Sequence, residues 1–227
     1  MSEVDTSYHE PGALRVALRT AAILLVFMLV FTALMAGTYR FTAPLLEASA
    51  QNERLRLINE ILPAASYDND LLHDQILVPP NAALHNASDS VIYRARRDGK
   101  PVAIIVEATA PDGYSGQIGL LLAVSADGRI LAQRVTRHKE TPGLGDYIDL
   151  KKDRNKQRPW ITQFNQLGFD EVPLTIWRVK KDGGRFDQMA GATISARAVT
   201  NASGRALMWV NQHREKLFAL PEGRTLE

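Results

Sequence analysis

Asp187-Gln188-Met189-Ala190-Gly191-Ala192-Thr193-Ile194-Ser195 is the stretch whose residue types bear most directly on chemistry. A turn-rich charged segment, 180–185, precedes it, and Arg197 to Ala202 reads as a helix after it. The first amides of a helix have no internal partner, so a small-residue loop opening into one suits an anion. Gly191 and Ala192 let a ligand approach the backbone closely, and Thr193 sets a hydroxyl at the helix mouth. Taken alone, this is a generic anion-friendly junction.

Two further loops carry unusual residues. Gly113-Tyr114-Ser115-Gly116-Gln117-Ile118 enters a strand, with two glycines that allow unusual backbone angles and a tyrosine that offers a flat face. His138-Lys139-Glu140-Thr141-Pro142-Gly143-Leu144-Gly145 leaves a strand, and its Pro-Gly pair is a type II turn signal. Singly, each reads as structural. Loops positioned by a rigid sheet often carry function, and here there are three. His138 has no nucleophile or partner beside it in sequence, so it reads as a structural or cofactor contact rather than a general base. The histidines at 9, 73, 85, 138 and 213 form no ligand-like pair, and the chain has no cysteine. Disulfides and cysteine-held zinc or iron–sulfur centres are excluded, and no metal site is expected.

These loops need a scaffold. The 227 residues, 45% hydrophobic and 23% charged, allow one medium domain with appendages. A net charge of +2 gives no polyelectrolyte signature. The basic run 151–156 is interrupted by Asp153 and lacks aromatics, so it reads as a solvated loop and nucleic-acid binding is not expected. Residues 1–13 read as a polar tail. Thr20 to Tyr39 holds no charge, and about 20 apolar residues in a helix span a hydrocarbon core. Arg15 and Arg19 favour leaving the short N-terminal end in the cytoplasm. A cleaved signal peptide is the rival reading. The run exceeds a typical signal core, and the best cleavage pattern, Ala48-Ser49-Ala50, lies well past its end.

Pro44 is expected to interrupt the helix, which resumes from Leu45 to Leu62 with Leu55, Ile58 and Leu62 on one side, until Pro63 ends it. Residues 64–90 read as mostly irregular with a short strand at 76–78. Strands at 91–96 and 102–108 flank Asp98-Gly99, and strands at 118–124 and 130–136 flank Asp127-Gly128. The central runs are apolar on both faces and call for helices on both sides. Leu174 to Val179 reads as a further strand. Ile194 to about Leu217 reads as a helix with Ala198, Ala202, Ala206 and Val210 along one side and Gly204 as a mild cost. The expected fold is α+β: a single N-terminal transmembrane helix, then an antiparallel sheet covered by helices.

The three loops together, with their order, spacing and the single N-terminal span, resemble the FMN-binding domain of the Rnf G subunit. They also resemble its relative, the C subunit of the sodium-pumping NADH:quinone reductase. The resemblance covers roughly residues 15 to 215. It implies FMN joined through its phosphate to the hydroxyl of Thr193, in a motif that Asp187 opens, installed by a separate flavin transferase that uses FAD and magnesium. It also implies an electron carrier in an ion-translocating ferredoxin:NAD oxidoreductase, the Rnf complex, alongside the A, B, C, D and E subunits, without catalytic residues of its own. The family pattern prefers Ser or Thr where this chain has Ala190, which leaves Thr193 as the attachment hydroxyl. Gly191, Ala192, Ser195, Gly113, Tyr114, Gly116, Glu140, Thr141, Leu144 and Gly145 are the expected contacts to the flavin or to the docking transferase.

The expected layout is a cytoplasmic tail over 1–19, the membrane helix over 20–39 and a connecting region over 40–90. The FMN-binding domain then fills 91–215 on the periplasmic side of a bacterial inner membrane, followed by a C-terminal tail over 216–227. The homologous quinone-reductase protein is one alternative. A flavin-free, membrane-anchored binding or assembly protein is the alternative of a different class.

Overall fold

The computed structural model describes residues 12–226, without the side chains of 45, 47, 48 and 50. The polar tail up to residue 11 lies outside the described residues, as do the side chains of Ala48 and Ala50 in the cleavage-like pattern. Contacts divide the chain into two units, Met1–Arg54 and Leu55–Glu227.

The described part of the first unit is helical. Helix α1 (Ala13–Ile61) begins there and ends in the second unit. Its stretch Ala13–Pro44 is long and apolar enough to cross a membrane, with a mean hydropathy of 2.4. Ile23, Leu25, Phe27, Leu29 and Phe31 are all exposed, as lipid-facing side chains would be. Pro44 does not interrupt the helix, contrary to expectation; α1 runs through it. Proline costs one backbone hydrogen bond, the one its N–H would give to the Arg40 carbonyl, and the helix continues without it.

The second unit is built on a five-stranded antiparallel meander in the order β1-β2-β3-β4-β5. The strands are β1 (Gln75–Val78), β2 (Ser90–Arg97), β3 (Lys100–Gly113), β4 (Gly116–Ser125) and β5 (Ile130–Arg137). Asp98 at φ 50° and Gly99 at φ 71° make the tight turn between β2 and β3, the left-handed pair that Asp-Gly favours. Alternation sends Ile104, Val106, Leu120 and Leu122 to one face, where they pack with Ala198, Ala202, Ala206 and Val210 of helix α2 (Thr193–Ala219). The other face, with Tyr93, Ile105, Leu121 and Ala123, is covered by Ile58, Ile61 and Leu62 at the end of α1 and by Leu71. Both faces are therefore closed by helices, as the doubly apolar strands required.

Two elements differ from the sequence reading. β3 and β4 run past the expected 102–108 and 118–124 to Gly113 and from Gly116, so Gly113 to Gly116 is the hairpin turn between them. Leu174 to Val179 is not a strand: Leu174–Ile176 forms a 3-10 turn after Pro173. Val179 at its end bridges Phe186 rather than a strand of the sheet. The run instead buries Trp177, whose Nε1 donates to the Thr200 carbonyl at 3.1 Å. Gly204 allows this: a Cβ there would lie 2.7 Å from Trp177 Cδ1. At the chain end, Leu217 is in the core and Thr225 pairs with Leu77 alongside β1.

Candidate functional site

In a meander, the β3–β4 turn and the end of β5 fall at the same end of the sheet. The N-terminus of α2 is bonded to that end as well. The three loops therefore meet, and they meet on one side chain. Glu140 is buried, 4% exposed. Its Oε1 accepts from the Ser115 amide at 3.0 Å, and its Oε2 accepts from the Ser195 hydroxyl. Gly145 passes close to the same carboxylate, where a Cβ would lie 2.9 Å from Glu140 Oε2 and 3.0 Å from Ser195 Oγ. Glycine is thus required at 145 by close approach rather than by backbone angle.

The loop after β5 folds as its residues indicate. Leu144 donates to the Thr141 carbonyl at 3.1 Å across Pro142-Gly143, with Gly143 at φ 73°. The Gly143 amide donates to Asp146 Oδ1 at 2.8 Å. His138 is enclosed in this loop. Its Nδ1 accepts from the Glu140 amide at 3.1 Å, and its Nε2 faces Asp149 Oδ2 at 3.7 Å. With its Nδ1 accepting from the Glu140 amide, His138 orients the loop rather than standing as a free general base.

A groove of about 110 Å³ lies between the loops, lined by Tyr114, Glu140, Thr141, Leu144, Gly145, Gly191, Ala192, Ile194 and Ser195. Ile194 is the one lining residue that the sequence did not single out. Tyr114 is 67% exposed and Leu144 and Ile194 are each 44% exposed, so the rim is apolar and open. Gly113 and Gly116 do not line it; they make the turn that holds Tyr114 out, with Gly116 at φ 119°.

Thr193 is the first residue of α2 and is only 9% exposed. Its hydroxyl has no hydrogen-bond partner among the described residues, and its oxygen is not sealed from solvent. Its sequence neighbours Ala192 and Ile194 line the groove, while Thr193 itself does not. Ala192 precedes the helix at φ −127°, ψ 38° and supplies no side-chain cap, so the first-turn amides keep their hydrogen-bonding capacity. Gly191 turns the chain into the helix at φ 82°.

Asp187 stands apart from the groove. Its carboxylate pairs with Lys180 at 2.5 Å and lines a separate cleft of about 400 Å³ with Trp160, Gln163 and Arg158. Its backbone is held on that side: Trp160 Nε1 donates to its carbonyl at 2.6 Å, and its amide donates to Gln163 Oε1 at 2.7 Å. Tyr147 completes the support. Its hydroxyl accepts from the Met189 amide at 3.1 Å and donates to the Ala192 carbonyl at 3.2 Å. Burial, the largest influence, raises the Tyr147 pKa; the Met189 bond opposes this and Asp153 adds to it. The phenol therefore stays neutral and serves as donor and acceptor at once. Tyr147, Trp160 and Gln163 were not foreseen from sequence. Tyr147 follows the Gly145 loop directly and Trp160 is a lone aromatic in a charged stretch, and those were the available signals.

Residues 113–208, which contain all three loops, match the FMN-binding domain, and residues 13–61 match the RnfG N-terminal region. The G subunit of the ion-translocating oxidoreductase complex of Pseudomonas aeruginosa is 42% identical over 208 residues, 92% of this chain and 95% of that protein. The corresponding Pseudoalteromonas atlantica protein is 41% identical over 201 residues, 88% of this chain and 91% of its own length. The Vibrio cholerae protein is 40% identical over 203 residues, covering 89% and 94%. With a membrane-length N-terminal helix, an FMN-binding domain and relatives matched over nearly their whole length, this chain belongs to the family of G subunits of ion-translocating oxidoreductase complexes.

Proposed function

We propose that this chain is the electron-carrying subunit of a membrane-bound, ion-translocating ferredoxin:NAD oxidoreductase, and that it holds FMN as a phosphoester on Thr193. The observation that carries the reading is the Thr193 hydroxyl: unbonded among the described residues, not fully sealed from solvent, at the uncapped start of α2 and between two residues that line the groove.

The residues present suit the group. Pockets that enclose a ligand usually measure about 300–1,000 Å³. At about 110 Å³ the groove is too small to retain a free flavin by enclosure, which favours a tether. Tyr114, Leu144 and Ile194 offer apolar surface to that ring. First-turn amides of α2 favour the negative charge of a phosphodiester by roughly 0.3–1 kcal/mol, enough to orient it and far less than a covalent bond. When bound, FMN supplies the electron-transfer chemistry; the chain positions it and sets its surroundings. Asp187, tied to Lys180, Trp160 and Gln163, holds the attachment loop from behind.

Arg15 and Arg19 favour a cytoplasmic N-terminus, with the FMN-binding domain in the periplasm of a bacterial inner membrane. The partners in this reading are the A, B, C, D and E subunits of the complex, with a flavin transferase for maturation. The test is co-expression with such a transferase, followed by a denaturing gel under ultraviolet light. A fluorescent band is expected for the wild-type chain and for Thr193→Ser, and its loss in Thr193→Ala with the fold retained. A wild-type chain that never acquires flavin overturns the reading.

A further inference from the structure

We propose that Glu140 sets the redox potential of the flavin in this groove, holding it lower than a neutral side chain would. The inference rests on the reading that FMN is bound here. It adds a role for a residue that otherwise serves as a junction between loops.

Glu140 is the only carboxylate among the groove-lining residues, and none of them carries an ammonium or guanidinium group. Both of its oxygens act as acceptors, from the Ser115 amide at 3.0 Å and from the Ser195 hydroxyl, the role of an ionised carboxylate. No cation pairs with it among the described residues. His138 accepts from the Glu140 amide through Nδ1 and faces Asp149 through Nε2, so neither ring nitrogen pairs with the Glu140 carboxylate. The negative charge is therefore buried, fixed in orientation and unpaired. Gly145 preserves the arrangement, because a side chain there would displace the carboxylate from Ser195.

Electrons delivered to the groove bring negative charge toward this carboxylate. Because Glu140 is itself buried, that repulsion is screened less than it would be between two groups in water. Reduction is thereby made less favourable. Glutamine at 140 keeps the shape and the acceptor for Ser115 while removing the charge.

The experiment is spectroelectrochemical titration of the full chain loaded with covalent FMN, followed by flavin absorbance. Glu140→Gln should shift to higher potential, and Glu140→Asp, which keeps the charge, should stay near wild type. Leu144→Glu adds a carboxylate at the exposed rim and should shift to lower potential. It decides the matter if Glu140→Gln does not fold. An unchanged or lower potential in Glu140→Gln, or an unchanged or higher one in Leu144→Glu, overturns the proposal. A wild-type chain without covalent flavin removes both readings, whereas loaded chains of equal potential remove only this one.

Discussion

The two ends of helix α2 are finished in opposite ways. At the C-terminal end, late carbonyls are met by arginines. Arg94 donates to the carbonyls of Leu217, at 2.9 Å, and Leu220, and Arg96 donates to that of Phe218 at 2.8 Å. Both guanidiniums are anchored on Asp74, Arg96 through its Nε at 2.8 Å, and Arg94 is only 1% exposed. Cations at a helix C-terminus also complement its dipole. At the N-terminal end Ala192 offers no cap, Ile194 is exposed and the Thr193 hydroxyl is unbonded among the described residues. One end is built for stability. The other leaves its donors and a nucleophilic oxygen free, in the pattern expected where a ligand completes the structure.

Three substitutions test that contrast, in decreasing order of effect. Arg94→Ala leaves Asp74 buried with Arg96 as its remaining cation and exposes two orphaned carbonyls. It should cost about 3–5 kcal/mol in denaturant unfolding while leaving flavin attachment per folded molecule unchanged. Equal loss of attachment in the folded fraction would show that the ends are not independent.

Tyr147→Phe removes two hydrogen bonds behind the attachment loop and should cost about 1–3 kcal/mol, with slower attachment. Tyr147 also predicts a pH dependence. Its folded pKa is raised above the ordinary 10.0, so its contribution is full below that value and is lost as pH rises through the folded value. Unfolding curves in neutral and strongly alkaline buffer should show a decline in wild type that is smaller in Tyr147→Phe.

Ala192→Ser supplies the missing cap and should stabilise the fold by about 0.5–1 kcal/mol while slowing attachment, since the cap occupies a first-turn amide. Faster attachment would contradict the view that the open amides serve the ligand.

Much of this was legible in the chain because it is local. Asp98-Gly99 specifies its own backbone angles, and Pro142-Gly143 specifies a type II turn, with Gly143 at φ 73°. The doubly apolar strands announced two covering layers. Non-local facts were not legible. Leu174 to Val179 has strand composition, but nothing in composition reveals that Trp177 is buried against α2 and that Val179 bridges Phe186 instead of a sheet strand. Asp187 shares the stretch 187–195 with Thr193 in sequence and lines a different cleft in space, because Lys180, Trp160 and Gln163 turn it away. Gly204 reads as a helix-weakening residue, whereas in the fold it makes room for Trp177. Singly the three loops read as structural, and only together did they resemble a known domain; that they converge on the Glu140 carboxylate depends on the meander and on the placement of α2, which no motif records.

The most direct test of the account is to locate the flavin by mass spectrometry after co-expression with a flavin transferase. Trypsin should release the peptide 186–197, which holds both Thr193 and Ser195. The predicted result is that peptide carrying FMN less one water, with fragment ions placing the group on Thr193. An unmodified peptide, or FMN on Ser195, would contradict the account.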